Sequence, residues 1–212
     1  MSEALSIAPS AARALPQHPA LWRGGELARM RVPGVPTGFA ALDRELPGSG
    51  WPVSSLVEIM PAHEGIGELR LLGPALARLS AAGRYLVWVA PPHLPYAPAL
   101  AAAGIALARL VIVRPRAPQD ALWAAEQALR AHVCGAVLAW PAAGVDYATH
   151  YTELRRLQLA AEGSRALAFL FRPPNAAHSA SPAGRRLALD TAPGGLAISI
   201  TTRRGAPLAH PI

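Results

Sequence analysis

The sequence contains no lysine; all 20 of its basic side chains are arginine. A phosphate loop of the form G-x-x-x-x-G-K-[ST] needs a lysine ammonium on the β/γ-phosphates and a hydroxyl on magnesium, so no position in the chain can complete that clamp. Cysteine is nearly absent as well. The one residue, Cys134, excludes an internal disulfide and a multi-cysteine metal site, and its place in the apolar run VCGAVLAW marks it as a small core residue. The seven histidines (His18, His63, His93, His132, His150, His178 and His210) show no paired metal-ligand spacing. The hydrolase patterns G-x-S-x-G, H-E-x-x-H and H-x-x-E-H are missing. No window approaches the ~18 consecutive apolar residues of a membrane helix. The first residues lack a basic start followed by a long apolar block, so the expectation is a cytoplasmic protein without a signal peptide.

What is present suits one α/β domain of 212 residues, with 52% hydrophobic residues and a net charge of +7. That charge favours an acidic partner, either nucleic acid or an acidic protein surface. Residues 1–36 are rich in Ala and Pro and read as an arm, in which Trp22 needs something to pack against. A domain over 37–205 and a short tail over 206–212 complete the expected organisation. TGFAALDREL (37–46) predicts a helix with Thr37 as its N-cap. Strands are expected over 55–60, 84–90, 109–115, 135–140, 165–174 and 195–204. Helices are expected over 65–83, 96–104, 118–132, 148–163 and, briefly, 181–189. Continuous apolar strands alternating with helices predict a mainly parallel sheet covered on both faces.

VEIMPAHEGIGELRLL (57–72) runs from a strand through Pro and Gly into a helix, the frame in which a nucleotide-binding α/β protein carries its phosphate loop. Gly65 and Gly67 alternatively form nothing more than a tight strand-to-helix turn. Trp88, Trp123 and Trp140 lie in apolar strands or on an apolar helix stripe and are expected in the core. Trp22 and Trp51 sit among Pro and Gly, as interface anchors or as caps on the core edge. PPHLPYAP (91–98) is a rigid turn at a strand's C-terminal edge, where α/β sheets usually place function. Over residues 153–212, eight Arg face Glu153, Glu162 and Asp190. The pairs Arg155/Arg156, Arg185/Arg186 and Arg203/Arg204 either line a phosphate- or partner-facing surface or are simply solvated.

Three stretches, PTGFAALDREL.G.GWP..SLVEI, VWVAPPHLPYAPALAAAGIALARLVIVRP and DALWAAEQALRAHVCGAVLAWP, closely resemble the ImuA family, and the resemblance runs from about Pro36 to Gly205. It implies a RecA-like α/β fold linked to damage-inducible translesion DNA synthesis. ImuB is the implied partner, with RecA and an error-prone replicative-type polymerase alongside. Set against RecA, the degenerate loop puts Pro61 at the first glycine, Ile66 at the second, Gly67 at the lysine and Glu68 at the hydroxyl residue, with Gly65 surviving between them. Trp140 stands where a metal-orienting Asp would be, and Pro91 and Pro92 where a catalytic Glu would be. A magnesium-dependent hydrolase needs clamp, metal ligand and base together, so the expectation is a non-enzymatic protein with no cofactor. The loop 172–186 falls where RecA contacts DNA but lacks an aromatic for stacking on bases. The alternative is a damage-induced cell-division inhibitor of the SulA kind, which resembles RecA with its nucleotide site erased and targets the tubulin-like division protein.

Overall fold

The structure, a computed structural model, describes residues 34–117, 119–141 and 151–202. The elements are α1 (Ala40–Glu45), β1 (Leu56–Pro61), α2 (Glu68–Ala81), β2 (Tyr85–Val89), α3 (Ala97–Ala102), β3 (Leu110–Val113), α4 (Asp120–Arg130), β4 (Cys134–Ala139), α5 (Tyr151–Glu162), β5 (Leu167–Phe171), β6 (Arg185–Ala192) and β7 (Gly195–Thr202). Short 3-10 turns at Leu107–Arg109 and Pro174–His178 precede β3 and follow β5. The strands form one seven-stranded sheet in the order β3-β2-β4-β5-β1-β6-β7. Every neighbouring pair is parallel except β6–β7. This is the expected α/β architecture with a mainly parallel sheet.

Both faces are covered, which is why β4 and β5 are apolar at every position and buried throughout. On one face Leu71, Leu72, Ala75 and Leu76 of α2 pack on Val57, Ile59, Trp88, Leu138 and Phe169. On the other, Ala121, Ala125 and Leu129 of α4 and Leu154, Leu157 and Ala161 of α5 pack on Val87, Val137 and Leu170. Helix α2 runs through Pro74 as one element. The Pro74 ring closes against Gly38, which has φ +91° and whose missing Cβ would stand 2.5 Å from the ring. Only glycine meets both conditions.

Several local expectations are corrected. Helix α1 starts at Ala40 rather than after Thr37. Thr37 instead ties the entry: its hydroxyl accepts the Phe39 N–H at 3.0 Å, and its own N–H donates to Asp43 Oδ1 at 2.9 Å. The helix expected over 181–189 is largely strand, because Leu187 and Leu189 alternate into the core while β6 pairs with β1; pairing and burial override the helical leaning of Arg, Leu and Ala. Trp123 is 59% exposed, one position off the buried stripe of α4. Trp51 is completely buried and offers no surface to a partner.

Candidate functional site

Strand β1 delivers the chain to the C-terminal edge of the sheet, and residues 62–67 turn it into α2. Gly65 (φ +78°) and Gly67 (φ +118°) supply the left-handed backbone that this turn requires. Their amides converge on a single group. Glu68, the first residue of α2, folds its carboxylate back so that Oε1 accepts the Gly65 N–H at 3.0 Å and Oε2 accepts the Gly67 N–H at 3.1 Å. Backbone amides at a helix N-terminus attract an anion through their partial positive charge. Here the chain itself provides the anion, and a phosphate would have to displace a carboxylate of the same sign. Ile66 packs against the core at the edge of the α2 face. Pro61, the last residue of β1, lines the cleft beside the loop.

That cleft, about 500 Å³ in volume, opens at the C-terminal ends of the central strands, with Pro61, Glu68, Ala90, Trp140, Phe171 and Arg172 among its walls. Its floor is aromatic. Trp140 lies flat on Phe171, with ring centroids 4.4 Å apart and planes 5° apart, and its ring is 5.7 Å from Trp88. A ring therefore fills the end of β4, and an indole offers no oxygen ligand to a metal ion. Among the described residues no group of three or more His, Cys, Asp or Glu side chains could hold a metal ion. Glu64, in the wall of the cleft, and His93, both exposed, meet at 3.0 Å. His63 is exposed.

Beneath the cleft lies a charge network that sequence reasoning missed. Glu58, in the middle of β1, is fully buried. Its Oε1 accepts from Arg172 Nη1 at 2.9 Å, its Oε2 accepts from Arg186 Nε at 2.7 Å, and the Ser181 hydroxyl also donates to it. Arg186 donates further to the carbonyl of Ala176. One carboxylate thus fastens β1 to the segment after β5 and to β6. The available signal was a glutamate inside an otherwise apolar strand, since a buried charge requires a partner.

Of the arginine pairs within the described residues, three of the four side chains are engaged inside the protein. Arg186 is consumed by this network, and Arg185 is half-buried, with Nη1 donating to the Gly184 carbonyl at 2.6 Å. Arg156 reaches from α5 to Glu126 of α4 at 2.7 Å, a carboxylate that also receives Arg130 at 2.8 Å. Arg155 is exposed. Arg203, Arg204 and Trp22 lie outside the described residues. Cys134 is a buried core thiol as expected; burial pushes its pKa up against a smaller opposing effect from Arg84, which favours the thiol over the thiolate. No helix among the described residues is long and apolar enough to cross a membrane.

Searching the curated proteins returns no match to this chain. The family model described as Cell division inhibitor SulA does match, over residues 54–168. That span takes in the glutamate-closed loop, α2 to α5 and the Trp140 floor, and it covers more than half of the 212 residues; the chain belongs to the SulA family.

Proposed function

We propose that this protein is a non-hydrolytic accessory factor of the damage-inducible (SOS) translesion machinery, of the ImuA type, acting through contacts with ImuB, RecA and an error-prone replicative-type polymerase in the cytoplasm. The observation that carries the non-hydrolytic part is Glu68, whose carboxylate occupies both loop amides that a phosphate would use. Trp140 at the end of β4 adds to it, since an indole has no oxygen for magnesium. What supports the ImuA assignment within a SulA-family chain is the resemblance from about Pro36 to Gly205, which runs past the matched residues 54–168 on both sides. A second reading, inhibition of division through the tubulin-like ring protein, is favoured by the description of the matching family.

Parallel co-purification separates the two. Tagged full-length protein is expected to retain ImuB and not the ring protein; the reverse result would replace the first reading with the second. A docking role for the C-terminal segment is tested by truncation. Residues 195–202 are β7, whose Ile198 and Ile200 are buried in the core, so a cut at 195 removes a structural strand. Removing only 203–212 is expected to abolish ImuB retention with the melting temperature unchanged, and full retention would place the contact elsewhere.

A further inference from the structure

Of the ten large apolar side chains that are exposed among the described residues, five fall within residues 94–112: Leu94, Tyr96, Leu107, Val111 and Ile112. Val111 and Ile112 lie in β3 and Leu107 in the turn before it; among the described residues β3 is an edge strand, with β2 on one side and no strand on the other. Such an edge presents a row of unpaired N–H and C=O groups to any extended chain. Val111 and Ile112 are 41% and 38% exposed, and being adjacent in a strand they stand on opposite faces of the sheet. Both faces of the edge are therefore apolar.

Charge identifies what fits there. Between Glu68 and Asp120 the chain has six arginines (Arg70, Arg78, Arg84, Arg109, Arg114 and Arg116) and no acidic residue. Arg109 and Arg114 bracket β3. Arg114 and Arg116 are exposed, and neither takes part in the ion pairs of the described residues.

We propose that the β3 edge is a strand-addition surface for an extended segment of another protein, apolar at its centre and acidic at its flanks. A second copy of this chain fits poorly: a two-fold antiparallel pairing centred between Val111 and Ile112 sets Arg109 opposite Arg114 of the other copy, and like charges placed directly across a sheet repel. The chain's own residues 1–33 fit poorly too, carrying Arg13, Arg23, Arg29 and Arg31 against Glu3 and Glu26. An acid-flanked strand gains the backbone ladder, the apolar contacts and attraction at both ends. The surface goes beyond the function proposed above and does not depend on which partner is correct.

The test uses the full-length chain and two synthetic peptides with the same alternating Val-Thr centre, one flanked by Glu and the other by Lys. Fluorescence anisotropy is expected to show binding of the Glu-flanked peptide alone, with amide exchange slowed at Leu110–Val113. An R114E/R116E double variant is expected to lose at least tenfold in affinity while melting like the parent. Four results would overturn the proposal: neither peptide protects β3, both bind alike, the double variant binds unchanged, or these amides are already protected in the free protein. In the last case, sedimentation identifies the occupant as a second copy if dimeric and as the chain's own arm if monomeric. No arm of this test uses ImuB or the division protein, so it can fail while the co-purification result stands.

Discussion

Replacing Glu58 by alanine is expected to destabilise the domain by about 3–5 kcal/mol, a large part of the roughly 5–15 kcal/mol that holds a typical domain together. The change removes the carboxylate that Arg172 Nη1 and Arg186 Nε share, and leaves two guanidinium groups in the interior with their common counter-charge gone. It also frees the Ser181 hydroxyl and loosens the join between β1, β6 and the segment after β5. Desolvated charge, more than lost attraction, sets the size of the effect. Urea unfolding followed by circular dichroism measures it. A companion variant in which Glu58, Arg172 and Arg186 are all replaced by apolar residues of similar volume should recover much of the loss, because it removes the buried charge together with its partners. A Glu58→Ala protein as stable as the parent would mean that the network is not fastening these strands.

The second large loss is expected at Trp51. Its ring is fully buried and meets Phe169 of β5 edge to face, with centroids 5.1 Å apart and planes at 89°. Its backbone forms an isolated antiparallel bridge with Val35, through bonds of 2.7 and 2.9 Å. Trp51 thus pins the segment preceding β1 onto the sheet. Trp51→Ala removes both the aromatic contact and the volume, and should cost about 3–5 kcal/mol, as deletions of large buried rings do. Trp51→Phe should cost clearly less, since it keeps a ring and discards an indole N–H that has no hydrogen-bond partner. Thermal melts of the two variants rank them, and equal melting temperatures would show that ring contact is not what Trp51 contributes.

The sheet was legible in the sequence because its central strands are buried on both sides and so are written as unbroken apolar runs. Strand β6 was not, since RRLAL suits a helix locally and becomes a strand only by pairing with β1. Trp51 reads as a loop residue because Gly and Pro flank it, yet Gly50 is what lets the chain lie against Val35, whose carbonyl oxygen would collide with a Cβ at that position. Counting arginines by segment located charge at the C-terminal end, but Arg172 and Arg186 spend theirs on Glu58 inside the fold. The acid-free stretch beside β3 emerged only when the edge position of that strand was known. At the loop, the missing lysine was plain from composition, whereas the inward fold of the Glu68 carboxylate depends on the two glycine conformations and could not be read from residue order.

The central claim, that this SulA-family domain does not bind nucleotide at the loop closed by Glu68, is tested most directly by calorimetric titration of ATP with magnesium into the full-length protein. The account predicts no saturable heat for the parent. Tight, magnesium-dependent binding that weakens when the loop around Glu68 is altered would contradict it.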